Sequence, residues 1–450
     1  MRLDPMGKKK IDKITIIGSG LAGSFLAFLL AKKGYTIDIY ERLAKENIFD
    51  EASKRSYNIV LFGYGITVLK EAGLWEVIEP YLLPLNGSIT YIANEKEPIV
   101  TRTDPKKTPY FTISRALVAK ILLEQAAKNS SVTIHYNTTL LSIDRHTKSF
   151  VVQQTKTQKI QSITTDLIIG ADGAHSLIRS FLQLGQETHT RQEYAPWTYR
   201  QFILSPEMVK KLALEEKFVH IWTQKKSFII LHPDKNGFMI ALFVFPQKQS
   251  LKSAQEIKEF FTENFPKFSS AYSEIIPSLL TSPNGSFVTI YADPWYYKDF
   301  VAIIGDAAHG FYPFFGQGTS AAFGDVMKLI ELIDENKSNW EEIFRLYQEQ
   351  RKRHTDALAD LSKDALLTYF RDKKADKNAV YDRLETIAHH LFPRIIYPPV
   401  SLTITSDPIH AADHREKSLK QQQIAQRVGI SLLITLLINI LFFINKTKKR

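Results

Sequence analysis

Three short stretches of this sequence combine glycine turns with carboxylates in a way that suits a large ligand carrying phosphates. In the first, Gly18, Gly20 and Gly23 follow a short β-branched run and open an apolar helix, which is the spacing of a dinucleotide-binding turn. A pyrophosphate can lie at such a helix N-terminus, where free N–H groups favour an anion. Glu41 ends the next predicted strand, 18 residues after Gly23. A carboxylate there accepts hydrogen bonds from ribose hydroxyls and repels a 2′-phosphate, which indicates the ADP part of NAD or FAD rather than NADP.

The other two stretches place an acid at the end of a buried strand. DLIIGADGAHSLIR ends its strand with Asp172-Gly173 and sets Arg179 on the following helix. VAIIGDAAHGFYPFFGQGTSAAFGD places Asp306 after an apolar strand, then an aromatic-proline cluster, then a loop at Gly316–Gly318. Asp306 can hydrogen-bond ribityl hydroxyls, and the loop can bring backbone N–H groups to the pyrimidine edge of a flavin. Each stretch alone also has an ordinary structural explanation, such as a common Asp-Gly turn.

Composition excludes several classes of function. The chain has 450 residues, 44% of them hydrophobic and 23% charged, which is ordinary for a globular protein. It has no cysteine, so disulfides, thiolate metal sites and a cysteine nucleophile are excluded. The net charge of +11 lies mostly at the two ends, with +3 in residues 1–13 and +6 in residues 411–450. A basic nucleic-acid-binding face is therefore not expected, and no histidine pattern predicts a metal site.

The elements that position these motifs predict an α/β protein with a discontinuous Rossmann-like FAD-binding domain and an inserted, mostly antiparallel β substrate domain. We assign residues 11–82, 112–182 and 299–335 to the FAD-binding domain and residues 83–111 and 183–298 to the β-sheet substrate domain. A helical C-terminal region follows at 336–425. Alternating apolar and polar residues between turn signals predict an antiparallel sheet from about Tyr194 to Tyr297.

The C-terminal segment Val428–Ile444 predicts a hydrophobic membrane anchor. Its 17 residues include no charge and are flanked by Arg427 and by four basic residues at the end of the chain. About 17–25 apolar residues are needed to span a bilayer, so this segment is at the short end of the range. A buried or amphipathic terminal helix is the alternative. Because no signal peptide is evident at the N-terminus, we expect the body on the cytoplasmic side.

Taken in order, the three stretches resemble the class A flavoprotein hydroxylases, the p-hydroxybenzoate hydroxylase family. The family carries GxGxxG, then a DG motif, then GD-A-A-H-x-x-x-P-x-x-G-Q-G, and the resemblance covers nearly the whole chain. Within it, KRSYNIVLFGYGITVLKEAGL, TISRALVAKILLEQAA and GDAAHGFYPFFGQG are most similar to the kynurenine 3-monooxygenase group. The resemblance implies FAD as the cofactor. It also implies hydroxylation of an aromatic substrate with NAD(P)H and O₂ through a flavin C4a-hydroperoxide.

The resemblance also implies site residues, although it assigns no catalytic side chain. The residues expected to contact FAD are Gly18, Gly20, Gly23, Glu41, Arg42, Arg55, Arg115, Leu140, Asp172, Asp306, Gly318, Thr319 and Ser320. The residues expected to line the substrate pocket are Pro313, Phe314 and Tyr369.

The substrate end departs from the pattern of that group. Its carboxylate-binding arginine falls near Ser88, its tyrosine near Arg102 or Thr103, and two polar helix residues at Ala365 and Thr368. The loop asparagine has become Ser320, and an acid has become glycine at position 324. A site built for a carboxylate discriminates strongly, because a missing partner leaves a buried charge unpaired. We therefore expect a more apolar aromatic substrate than kynurenine, unless Arg102 replaces the lost arginine.

Three alternatives share parts of this reading. Flavin halogenases use the same scaffold, but their W-x-W-x-I-P signature does not occur in this sequence. An FAD-dependent reductase or dehydrogenase acting on an apolar membrane substrate is the second alternative. A membrane-tethered flavoprotein without catalytic activity is the third, because the loop at Thr319, Ser320 and Gly324 departs from the family pattern.

Overall fold

The computed structural model describes residues 13–48, 58–93, 95–103, 109–185, 188–336, 339–370, 385–425 and 427. The predicted flavin-site residue Arg55 and the predicted anchor Val428–Ile444 lie outside these residues. Within the described ranges, no helix has both the length and the apolar character needed to cross a membrane. The fold is mixed α/β, as the sequence predicts.

The elements follow one another in short succession along the chain. The strands are β1 (Lys13–Ile17), β2 (Thr36–Tyr40), β3 (Asn58–Leu61), β4 (Leu83–Pro84), β5 (Gly87–Ile92), β6 (Ile99–Arg102), β7 (Phe111–Ser114), β8 (Val132–His135), β9 (Thr138–Asp144), β10 (Ser149–Gln154), β11 (Ile160–Thr164), β12 (Leu167–Gly170), β13 (His189–Leu204), β14 (Phe218–Thr223), β15 (Phe228–Pro233), β16 (Met239–Pro246), β17 (Gly285–Asp293), β18 (Tyr296–Tyr297) and β19 (Val301–Ile303). The helices are α1 (Leu21–Lys32), α2 (Lys45–Ile48), α3 (Gly63–Glu71), α4 (Trp75–Ile78), α5 (Arg115–Ala127), α6 (Leu177–Leu184), α7 (Pro206–Lys211), α8 (Ala254–Asn264), α9 (Tyr272–Thr281), α10 (Asp306–His309), α11 (Gly318–Asn336), α12 (Trp340–Thr368), α13 (385–391), α14 (Val400–Ser406) and α15 (411–425). Short 3₁₀ turns lie at Glu79–Tyr81, Pro266–Ala271, Pro313–Phe315 and Pro408–His410.

A six-stranded sheet carries all three motifs. Its strand order is β18-β19-β12-β1-β2-β8, with parallel pairing from β19 to β8. Ile14 and Ile16 are fully buried, as are Leu167 and Ile169, in a core to which Phe25 of α1 and Phe150 of β10 also belong. The carboxyl ends of parallel strands meet at one edge, so the loops after β1, β12 and β19 lie side by side.

A seven-stranded sheet, ordered β17-β13-β16-β15-β14-β5-β6, forms the second layer. Its pairs are antiparallel except for β5 with β14. The antiparallel sheet predicted from about Tyr194 to Tyr297 is present, and the helices α7, α8 and α9, which were not predicted, lie between its strands along the chain. These helices cover one face of the sheet, where Phe243 packs with Phe261 and Phe265 of the helical segment.

Two smaller sheets, β3-β7-β4 and β11-β10-β9, complete the strands. β18 lies in the segment that we assigned to the substrate domain, yet it pairs with β19 of the six-stranded sheet. The domain boundaries remain a prediction. α12 spans 29 residues, and an ion pair of 2.8 Å between Asp360 of α12 and Arg415 joins it to α15.

Candidate functional site

The first glycine turn is shaped by contacts that exclude side chains. Gly18 has φ +99°, and a Cβ there would lie 2.6 Å from the Ala171 carbonyl oxygen. A Cβ on Gly23 would lie 2.1 Å from the carbonyl oxygen of Gly18, so the helix packs directly on the turn. Gly20 differs, since a Cβ there would have no neighbour within 4 Å. Gly20 therefore leaves open space at the N-terminus of α1, as a backbone that approaches a ligand must.

Glu41 lies at this turn, as predicted for a residue at the end of β2. Its Oε2 accepts hydrogen bonds from the Ser19 backbone N–H at 3.0 Å and the Ser19 hydroxyl at 2.8 Å. Its Oε1 accepts one from the backbone N–H of Leu43 at 2.8 Å. These bonds hold the carboxylate beside the glycine turn. The neighbouring Arg42 is exposed.

The Asp-Gly motif is a helix cap that also connects to the third motif. Asp172 accepts hydrogen bonds on Oδ2 from the backbone N–H groups of Leu177 at 2.7 Å and Ile178 at 3.2 Å. Its buried Oδ1 has no hydrogen-bond partner among the described residues. Burial raises the pKa of Asp172 above its ordinary value. The buried Arg179 donates hydrogen bonds to the carbonyl oxygens of Ala174 and Ala307, each at 2.7 Å. Arg179 thus joins the second motif to α10.

Asp306 follows β19 and begins α10, after a turn in which Gly305 has φ +58°. Its Oδ2 lies 3.8 Å from a guanidinium nitrogen of Arg115 at the start of α5. Both side chains are about two-fifths exposed, at 42% and 41%. The structure therefore brings together Asp306 and Arg115, two of the predicted cofactor residues. Leu140 belongs to β9 and its side chain is 4% exposed in the hydrophobic core.

A buried ion cluster beneath Asp306 was missed by the sequence reasoning. Asp325 of α11 is fully buried and accepts hydrogen bonds from the backbone N–H of Gly305 at 3.1 Å and from Arg351 Nε at 2.9 Å. Its Oδ2 also bonds His309 Nε2. Burial favours the neutral acid, but His309 and Arg351 together hold the pKa of Asp325 below its ordinary value. In the sequence, the only sign of this ion cluster was the acid that ends the string Phe323-Gly324-Asp325. Its partner Arg351 lies 26 residues further along the chain, where no short motif connects the two.

The predicted flavin loop ends in the N-terminus of α11. Gly316 is left-handed with φ +65°, and Gly318 has open space where a Cβ would lie. Thr319 and Ser320 are buried, at 6% and 1% exposed. Gln317 is fully buried, and its side-chain oxygen has no hydrogen-bond partner in the part of the chain that the structure describes. The structure also explains why position 324 is occupied by a glycine. A Cβ there would lie 2.6 Å from Ile409, which occupies the space a larger residue needs.

An aromatic cluster joins this loop to the seven-stranded sheet. The ring of Phe314 lies 5.0 Å from Phe287, 5.7 Å from Phe228 and 5.6 Å from Tyr369 between centroids. Tyr369 also stacks on Phe228 at 4.6 Å, and burial raises the pKa of its hydroxyl to about 12. Pro313 begins the 3₁₀ turn that presents Phe314. Thus the three predicted pocket residues converge at one place.

We call the sheet face that bears Phe228, Ile230, Val244 and Phe287 the loop-side face, since these residues pack in one cluster with Phe314. Strands β14, β15 and β16 contain no Asp, Glu, Lys or Arg on either face.

Strand register decides which residues of β5 and β6 reach the loop-side face. Ser88 pairs with Val219 and with Thr101, and Val219 belongs to the loop-side cluster. Arg102 pairs with Gly87, one residue before Ser88, and therefore points to the opposite face. There its guanidinium lies 5.3 Å from the ring of Phe218. The expectation that Arg102 could replace the lost arginine is wrong for this arrangement.

The fold and the three joined motifs define a flavoprotein of the aromatic-hydroxylase class. The family model described as "FAD binding domain" matches residues 12–362, and the chain belongs to this family. It is 27% identical over 443 residues to the kynurenine 3-monooxygenase of Salinispora tropica, covering 95% of this chain and 96% of that protein. It is 30% identical over 359 residues to that of Legionella pneumophila, covering 78% and 79%.

Solved structures share the fold at lower identity. The tetrameric 2-methyl-3-hydroxypyridine-5-carboxylic acid oxygenase superposes with a TM-score of 0.67 at 21% identity, covering 83% of this chain and 96% of that one. The tetracycline destructase Tet(55) superposes with a TM-score of 0.65 at 20% identity, covering 89% and 97%. The predicted resemblance is confirmed. The protein is an FAD-dependent aromatic monooxygenase with NAD(P)H as its co-substrate, and the reductase and non-catalytic alternatives are set aside.

Proposed function

We propose that this monooxygenase acts on an aromatic substrate without a free carboxylate, and therefore not on kynurenine. The observation that supports this proposal is the stretch of the loop-side face on β14, β15 and β16, which bears no charged residue. Beside it, Ser88 occupies the position where the resemblance expects an arginine, and Arg102 points to the opposite face. Burying a carboxylate without a cationic partner is strongly unfavourable. A neutral aromatic ring packs well against the exposed edges of the aromatic cluster around Phe314.

We also infer which residues hold FAD. Gly20 and Gly318 leave open space at the N-termini of two helices, and this is where phosphate and ring-edge acceptors would receive backbone N–H hydrogen bonds. Glu41 and Asp306 carry the carboxylates that would accept hydrogen bonds from ribose and ribityl hydroxyls. Thr319 and Ser320 would contact the ring edge through their backbone. The donor set at these positions therefore fits FAD.

The chemistry divides between the cofactor and the chain. When bound, FAD would provide the two chemical functions that hydroxylation needs: accepting hydride from NAD(P)H and activating O₂. The chain orients the ring edge by the N-terminus of α11, and the Asp325 cluster keeps Gly305 and Asp306 in place. Phe314 and Tyr369 exclude water from the space beside the loop-side face. No side chain is assigned as an acid or a base.

The test is anaerobic reduction of the bound FAD by NADPH in the presence of matched ligands. L-kynurenine and 2-aminoacetophenone share an aminophenyl ketone, but only kynurenine carries the amino-acid group. We expect 2-aminoacetophenone to accelerate flavin reduction more than L-kynurenine does. A large acceleration by L-kynurenine alone would overturn the proposal. Ser88→Arg should restore a response to L-kynurenine. Val100→Arg is the matched control, because Val100 of β6 is 44% exposed and pairs with Ile89 on the opposite face of the sheet.

Membrane association through Val428–Ile444 is a second proposal. The uncharged run and its basic flanks support it. So do exposed apolar side chains shortly before it, including Leu391 at 66% and Ile395 at 80% exposed. The full chain should float with liposomes, and a chain ending at Arg427 should not. Equal flotation of both chains would show that the terminal segment is not the anchor.

A further inference from the structure

Several polar side chains on the seven-stranded sheet have a buried atom without a hydrogen-bond partner in the described part of the chain, and Gln201 and His232 are two of them, beside Thr190, His220 and Thr289. Gln201 of β13 is 6% exposed, and its Nε2 has no hydrogen-bond partner in the described part of the chain. His232 of β15 is partly buried, and its buried Nδ1 likewise has no partner there. Buried polar atoms in native proteins are almost always hydrogen-bonded. Buried atoms of this kind therefore call for a partner that the described part of the chain does not provide.

Strand register places both side chains on the loop-side face. Gln201 pairs with Leu242, and Leu242 pairs with Ile230, so all three share the face on which the aromatic cluster lies. His232 pairs with Ile240, two residues before Leu242, and shares the same face because side chains alternate along a strand. Gln201 and His232 are separated by two strand spacings across the sheet and by two residues along it. This separation puts their Cα atoms about 12 Å from each other.

The floor between these two residues is apolar. Leu242 and Ile240 of β16 lie between β13 and β15, so a ring resting on them has one polar side chain near each end. Burial lowers the pKa of His232 to about 4, and the imidazole is therefore neutral at pH 7 with one donor and one acceptor nitrogen. The Gln201 amide also offers both roles. Neither group neutralises an anion or a cation, whereas both can bond a hydroxyl, a carbonyl or an amide.

We propose that Gln201 and His232 are specificity-determining residues that hydrogen-bond two neutral polar substituents at opposite ends of the aromatic substrate. The ring would lie on Leu242 and Ile240, with the aromatic cluster of Phe228 and Phe314 beside it. The inference rests on the proposed function, which supplies an uncharged aromatic ligand, and it adds the substrate class: a neutral aromatic with two separated hydrogen-bonding groups.

The test is calorimetric binding of three phenols to the full-length, FAD-loaded protein without NADPH. 3-Hydroxybenzamide carries two neutral polar groups, 3-ethylphenol carries one, and 3-hydroxybenzoate carries an anion. We expect the wild type to bind 3-hydroxybenzamide most tightly. Gln201→Met and His232→Leu should each weaken its binding about 10-fold, the effect of losing one hydrogen bond. The same variants should change the affinity for 3-ethylphenol less than the affinity for 3-hydroxybenzamide. They should also leave the absorption spectrum of the bound FAD less affected.

Two matched controls lie on β13, the strand of Gln201, away from this site. Gln192→Met and His189→Leu replace exposed residues of β13 and should leave all three affinities unchanged. The inference is overturned if the site variants weaken the amide and 3-ethylphenol equally, which would indicate lost packing. It is overturned too if they change neither, because the buried atoms would then bond only water, or if the anion binds most tightly. Since binding is measured without turnover, these results stay separate from the kynurenine test above.

Discussion

Replacing Arg351 with methionine should destabilise the flavin-loop region far more than the same change two residues along the helix. Arg351 is 2% exposed. Its Nε bonds Asp325 at 2.9 Å, and its other nitrogens donate to the carbonyl oxygens of Ile409 at 3.2 Å and Ala321 at 3.4 Å. Removing one partner of a buried ion pair costs about 3–5 kcal/mol, because the other charge stays buried. His309 and the Gly305 N–H still contact Asp325, so the lower end of that range applies.

Arg353 provides the control on the same helix. Its side chain is 58% exposed and pairs with Asp413 at the surface. Exposed pairs contribute about 0–1 kcal/mol, so Arg353→Met should change the free energy of unfolding by no more than that. The measurement is urea unfolding of both variants, followed by the fluorescence of released FAD, which reports on the loop that Asp325 holds through Gly305.

The contribution of the Asp325 ion pairs to the free energy of unfolding should depend on pH. The pKa of Asp325 is lowered in the folded protein, so its ion pairs stabilise the fold above the ordinary carboxyl value of 3.8 and lose that effect as the pH falls below it. The cost of Arg351→Met should therefore be present throughout the neutral range. An equal and small loss for both arginine variants would refute the reasoning, since it would mean that Asp325 does not carry a buried charge.

The remaining predictions concern the glycine turn, two histidines and the outer face of the sheet. Gly23→Ala should prevent folding of the turn, because its Cβ would lie 2.1 Å from a carbonyl oxygen, whereas Gly20→Ala should fold and bind FAD more weakly; circular dichroism and FAD titration separate the two. Burial lowers the pKa of His232 and His354 to about 4. Since the unfolded chain binds these protons more readily, stability should fall as the pH drops from about 6.5 towards 4, and less steeply in His354→Leu. Arg102→Ala should leave substrate affinity unchanged, and a large loss in a binding titration would contradict the assigned register.

The flavin side of the site was predictable because its requirements are local. Gly18 needs a positive φ and Gly23 needs direct contact with the turn, and both needs are met by residues close in sequence. Glu41 was found for the same reason, since one strand and one helix fix its distance from the turn. Cofactor binding by Glu41 and its partners is still a prediction, but their convergence at one sheet edge follows from the order of the motifs.

The helices missed between Tyr194 and Tyr297 left a readable signal. Ser253 accepts a hydrogen bond from the Glu256 backbone N–H at 3.2 Å, and a serine followed three residues later by glutamate is a common helix start. Two prolines, at positions 266 and 277, lie in the same part of the chain. The first begins a 3₁₀ turn, and the second lies inside α9, where the packing of neighbouring apolar residues outweighs it.

The substrate side depends on strand register, and register is not written in any short motif. Shifting β6 by one residue against β5 would turn Arg102 onto the loop-side face and place a cation near Ser88. The observed pairing of Arg102 with Gly87 prevents this, and a Cβ on Gly87 would lie 1.9 Å from the Thr101 carbonyl oxygen. This close approach of the two strands favours the observed register. Under the proposed function, Gly87 therefore contributes to the choice of substrate, because it favours the register that keeps Arg102 off the loop-side face.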